Sequence, residues 1–204
     1  MNVASLAVES IEKFGEFTAT WFEDRQYTNL ENYDRACRLA SVLSSHGVGP
    51  DSRVVVMMLN SPDVLAAFLA IWKLGAVIIP VTPMWTAREV GYVLENSESG
   101  LVITSPELAP RVMDAALNVP SSPAIVTIGK SDVPGVTDIS QEVDTAARFE
   151  TIHDRQADDL ALLDRNNFAP AFAHFEQIAV GAIKRAKRIA ARLSRTGRVA
   201  CMGA

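Results

Sequence analysis

The densest apolar pattern in the chain lies between residues 53 and 89. Val54-Val55-Val56-Met57-Met58-Leu59 is β-branched at its start and almost uninterrupted, the pattern of a strand buried on both faces. Asn60-Ser61-Pro62 turns the chain. Ser61 is placed as a helix N-cap, Pro62 suits the first helical position, and Asp63 suits the positive end of the helix dipole. The helix is expected to run to Lys73 or Leu74 and to end at a left-handed Gly75. A second apolar strand, Ala76-Val77-Ile78-Ile79, follows up to Pro80. Together these form a right-handed strand, helix, strand crossover.

The flanking sequence repeats the alternation. Residues 5–14 are expected to be helical and 17–22 extended, with a turn at Glu23-Asp24-Arg25-Gln26. Thr28 and Glu31 form a capping-box pattern ahead of a long helix. Its stripe is Leu30, Tyr33, Cys37, Ala40 and Leu43, and Gly47 closes it after His46. Thr86 and Glu89 repeat the box before a helix carrying Val90, Val93 and Leu94. Strands follow at 101–104 and 124–128, with a helix at 106–117 between them. A connection through Pro134 and Gly135 leads to a short helix near 141–149, a polar surface link at 155–159 and an apolar run at 160–163. This order predicts an α/β fold, with layered helices on a mostly parallel sheet.

The pattern changes at residue 164. Residues 164–204 hold eight Lys and Arg against two acidic residues, whereas 1–163 hold eleven against twenty-two, although the whole chain carries only -5. Phe172, Phe175, Ala179, Ala182, Ala186, Ile189 and Leu193 fall on one helical face there. A basic amphipathic helix is the expectation, and a weak anionic partner, a membrane surface or nucleic-acid phosphates, is open to it. The chain thus divides into a partial α/β domain, 1–163, and a divergent basic helical tail, 164–204.

At 204 residues and 49% apolar the chain can bury a core. Its apolar runs are too short to span a bilayer, and Glu9, Glu12 and Glu16 argue against a secretory signal, so the cytoplasm is the expected compartment. Candidate chemistry is sparse. Cys37 and Cys201 have no partners at metal-site spacing, and Cys37 reads as core filler. His46 reads as a helix-end histidine. His153 beside Asp154 and Asp158 reads as a surface neighbour and not as a ligand, and Ser97 and Ser99 have no nearby base. No dinucleotide fingerprint or Walker loop occurs.

Several short motifs in order do carry a resemblance. They are Tyr27-Thr28 with Glu31, Gly47-Val48 with Asp51 and Arg53, and Asn60-Ser61-Pro62. Lys73-Leu74-Gly75-Ala76, Pro80-Val81-Thr82-Pro83 and Arg88-Glu89 complete the set. Over roughly four fifths of the chain, to Leu163, the sequence resembles the N-terminal part of the AMP-forming acyl-CoA synthetases, adenylate-forming enzymes of the AMP-binding superfamily. Thr82 stands where that family often has asparagine. The resemblance implies the first α/β subdomain, a scaffold flanking the acyl pocket. In the full-length family, ATP, magnesium and coenzyme A serve the activation of a fatty acid or other carboxylate and its transfer to the thiol.

The family's phosphate loop, rich in Ser, Thr and Gly and ending in lysine, is expected directly after a segment like Asp158-Asp159-Leu160-Ala161-Leu162-Leu163. Here Asp164-Arg165-Asn166-Asn167 come next, and neither glycine nor lysine occurs from there until Gly181. The expectation is an N-terminal fragment of an ATP-dependent fatty acid/carboxylate-CoA ligase, catalytically incompetent alone. It has no catalytic, cofactor-binding or metal residue and no cofactor of its own. The alternative is a noncatalytic interaction module using the basic tail. Two origins are open for the break: a truncation or frameshift near codon 163, which is preferred, or an internal deletion. Uncovered apolar surface around Val64, Phe68 and Ile71 is expected to favour self-association and marginal stability.

Overall fold

The computed structural model describes residues 2–117, 119–156 and 159–163. The basic helix and domain expected at 164–204 lie outside them. A five-stranded parallel sheet carries the fold, in the order β4 (Val77–Pro80), β3 (Arg53–Met57), β5 (Leu101–Thr104), β6 (Ala124–Thr127), β7 (Val136–Asp138). Helix α1 (Ser5–Phe14) leads to a separate antiparallel hairpin, β1 (Thr18–Phe22) and β2 (Arg25–Thr28), whose turn is made by Glu23 and Asp24 alone. Helix α2 (Asn29–Ser45) then precedes β3 (Arg53–Met57), α3 (Pro62–Lys73) and β4 (Val77–Pro80). After them come α4 (Ala87–Ser97), β5 (Leu101–Thr104), α5 (Ala109–Ala116), β6 (Ala124–Thr127), β7 (Val136–Asp138) and α6 (Ser140–Thr145).

Strand alternation separates two cores. Val54, Val56, Ile78, Leu101, Ile103 and Val126 face α2 and α3, while Val55, Met57, Ile79, Val102 and Ile125 face α4 and α5. Both capping boxes form: Thr28 with Glu31, and Thr86 with Glu89. The Thr28 amide holds the Glu31 carboxyl below the usual carboxylate range, and Arg25 adds to the effect. Ser61 occupies the N-cap of α3 but makes no capping bond; Pro62 and Asp63 start the helix without it. Arg35 on α2 pairs with Asp63 and, at 3.2 Å, with Asp144, tying α2 to the start of α3 and to α6.

Four expectations need correction. Residues 136–138, read as connection, form β7, because Thr127 and Val126 offer a parallel edge that a three-residue segment can join. The final helix is six residues long and ends at Thr145, short of Phe149, which instead turns back so that its amide meets the Cys37 carbonyl at 3.0 Å. Residues 160–163 form no full strand. Leu162 makes one parallel bridge to Ile78. Ile71 is fully buried, and Val64 and Phe68 are only partly so, which narrows the uncovered surface expected around them.

Gly75 ends the α3 turn at φ +70°, as its position requires. A Cβ there would sit 2.6 Å from His153 Cδ2. Gly75→Ala is expected to cost about 1–3 kcal/mol in urea unfolding from the left-handed backbone and this clash together. Adding His153→Ala should recover only the steric part; full recovery would show that backbone strain contributes nothing.

Asp138 accepts hydrogen bonds from the Ser140 hydroxyl and amide and from the Gly129 amide. The Ser140 contacts hold its carboxyl below the ordinary range. Its folded value lies under its unfolded one, so this stabilisation is complete above about pH 4 and is lost as pH falls through the depressed value. Ser140→Ala should raise the Asp138 pKa in an NMR titration; an unchanged value would contradict the assignment.

Candidate functional site

Parallel strands all end on one side of a sheet, and the segments leaving β3 and β4 gather there. The Val56–Pro80 pairing brings Met58-Leu59-Asn60 next to Pro80-Val81-Thr82-Pro83, and the Val81 amide donates to the Val56 carbonyl at 2.9 Å. The side chains of Val64 and Phe68 on α3 close the floor of a depression of about 350 Å³ between them. Phe68 is held edge-on to Trp72, with ring centres 5.9 Å apart and planes at 75°. Leu59, 43% exposed, and Met84, 85% exposed, stand out beside the segments that line it.

The neighbouring strand end is fixed by side chains. Thr104 Oγ1 donates to the Met57 carbonyl at 2.7 Å, and the Leu59 amide donates to Ser105 Oγ at 2.8 Å. No Lys, Arg, Asp or Glu lines the depression, and its one amide side chain is Asn60. Such a surface suits an apolar group. It has no cationic side chain with which to hold phosphates. Among the described residues no group of three or more His, Cys, Asp and Glu is placed to hold a metal ion. Among the described residues, those lining the depression therefore offer no charged side chain to a magnesium–nucleotide complex.

Of the motifs that carried the resemblance, only Asn60 and residues 80–83 meet in this depression; the others build the frame. Thr28, Glu31, Thr86 and Glu89 cap helices. Asp51 pairs with Arg155 at 2.6 Å. His46 lies 3.3 Å from Glu142, Cys37 is buried and free, and Ser97 and Ser99 bond each other at 3.1 Å in the interior.

Lys73 has an environment the sequence reading missed. It is fully buried, and its Nζ donates to the Tyr33 hydroxyl at 3.0 Å while lying 4.8 Å from that ring's centre. The signal was in the spacing: Ala66, Ala70 and Lys73 share the buried face of α3.

The match to known proteins agrees with this frame. The family model described as AMP-binding enzyme matches residues 8–164. The chain belongs to the AMP-binding enzyme family. Among curated relatives, surfactin synthase subunit 1 of Bacillus subtilis (strain 168) is 32% identical over 117 residues, 57% of this chain and 3% of that protein. Among solved structures, a benzoate CoA ligase from Burkholderia xenovorans LB400 superposes with a TM-score of 0.70 at 25% identity. The overlap covers 79% of this chain and 32% of that one. A long-chain-fatty-acid-CoA ligase from Archaeoglobus fulgidus shares the fold at TM-score 0.70 and 23% identity, covering 80% of this chain and 34% of that one.

The chain therefore spans about a third of the length of these solved relatives, and a far smaller part of the peptide synthase. Its described part has the α/β fold of their N-terminal region. Among its described residues no helix is long and apolar enough to cross a membrane.

The buried lysine gives a direct test of the frame. Lys73→Ala leaves a cavity and an unpartnered Tyr33 hydroxyl, and should cost about 2–4 kcal/mol in urea unfolding. Lys73→Met keeps the volume and removes the charge, and should cost less than about 1.5 kcal/mol. Equal losses for both would mean that the ammonium, and not the packing, is what matters.

Proposed function

We propose that residues 1–163 are the first α/β subdomain of an ATP-dependent ligase that joins a fatty acid or related carboxylate to coenzyme A through an acyl-adenylate. The 204-residue chain acts in this reading as scaffold and does not catalyse the reaction by itself. Family membership and the CoA ligases among its structural relatives support the reaction class. The single observation that carries the scaffold assignment is the apolar, uncharged depression at the strand ends, together with the sequence after Leu163. That sequence begins Asp164-Arg165-Asn166-Asn167 and has no glycine or lysine before Gly181.

A triphosphate needs several converging donors and at least one cation, and an aspartate at the head of that segment repels it. The depression instead offers an apolar wall, Val64 and Phe68, against which an acyl chain can lie once the remainder of an active site is supplied. In the full-length reaction ATP, magnesium and coenzyme A would supply the adenylation and thiol-transfer chemistry.

The test is carboxylate-dependent exchange of labelled pyrophosphate into ATP, run with the purified chain and medium- and long-chain fatty acids. Exchange at the no-enzyme background is expected. Exchange above it, abolished when the acid is left out, would overturn the assignment.

A further inference from the structure

The last turn of a helix leaves carbonyls without intrahelical partners, and in α3 they are met by residues far apart in the chain. Asn2 Nδ2 donates to the Trp72 carbonyl at 2.7 Å and to the His153 carbonyl at 2.8 Å, while its Oδ1 accepts the Ala4 amide at 2.8 Å. The His153 amide donates to the Lys73 carbonyl at 2.8 Å. Arg155 donates to the Gly75 carbonyl and pairs with Asp51, placing a cation at the negative end of the α3 dipole. Trp72 Nε1 donates in turn to the Ala161 carbonyl at 3.0 Å.

Against this set of side-chain ties, the hold of the sheet on residues 161–163 is slight. The Ile78 amide donates to the Ala161 carbonyl at 3.2 Å, and the Leu163 amide donates to the Ile78 carbonyl at 2.8 Å. Pro80 has no amide to extend the ladder. Residues 161–163 are only half-buried and Leu160 is 46% exposed, so little apolar burial secures the segment.

We infer that Asn2, Trp72 and Arg155 form a latch that holds residues 161–163 on the outer edge of β4, and that this latch opens as a unit while the five-stranded sheet stays folded. The latch couples the beginning of the chain to the point where it leaves the sheet. Asn2 and Arg155 are positioning residues in this device. The latch does not depend on the ligase reading.

Amide hydrogen exchange on the 204-residue chain tests it, comparing wild type with Asn2→Ala and Trp72→Phe. The second variant keeps an aromatic ring beside Phe68 and loses the indole donor together with part of the ring's volume. Exchange of the Ile78 and Leu163 amides should rise in both, about five- to tenfold for Trp72→Phe, which removes one hydrogen bond, and at least as much for Asn2→Ala, which removes three. Exchange at Val55 and Val102 should stay unchanged. Asn2 touches neither Ile78 nor Leu163, so a response to Asn2→Ala reports coupling. No change at Leu163 in either variant, or an equal rise at Val55 and Val102, overturns the inference. Nucleotide chemistry plays no part in the readout, so the ligase reading stands or falls separately.

Discussion

Strand β3 is the constraint on which the rest of the structure depends. It hydrogen-bonds to β4 on one side and β5 on the other. Its side chains divide between two cores: Val54 and Val56 enter one, Val55 and Met57 the other, and Val54, Val55 and Met57 are fully buried. Burial of each such side chain contributes about 1.5–3 kcal/mol. A one-residue slip of β3 would exchange the two faces, so its register is tightly specified. That register sets Val56 beside Pro80 and Met57 beside Thr104, and so brings the strand ends together where the apolar depression forms.

Local chemistry made most of this frame legible from the sequence. The β-branched run of β3, the two Thr-x-x-Glu capping boxes and Gly75 each have a cause within a few residues, and each lies where that cause puts it. The features that stayed hidden depend on partners distant in the chain. Residues 136–138 are too short a run to read as a strand after Pro134-Gly135, and became one because β6 presented a free edge. Arg155, in a stretch that reads as a polar surface link, is drawn in by the Gly75 carbonyl and Asp51. Asn2 has one local contact, with the Ala4 amide, but nothing near it in the chain announces its two acceptors, which are 70 and 151 residues away.

The site was legible in a different sense. Asn60 and residues 80–83 were recognisable as parts of a pattern, and their meeting at one depression follows from the parallel order of β3 and β4. Its uncharged character is legible in Met58, Asn60 and residues 80–83 themselves, none of which carries a charge. Val64 and Phe68 pack against the core beside the depression, and the remaining motif residues cap helices or pack the frame. The charged pairs Arg35–Asp63 and Arg155–Asp51 join helices and loops; none of them faces the depression.

A triphosphate should find no cradle on this chain. Equilibrium dialysis of labelled ATP with magnesium against the folded 204-residue protein tests that expectation most directly. Uptake that rises linearly with ATP and shows no saturation is the predicted result. Saturable, stoichiometric binding at micromolar ATP would contradict it.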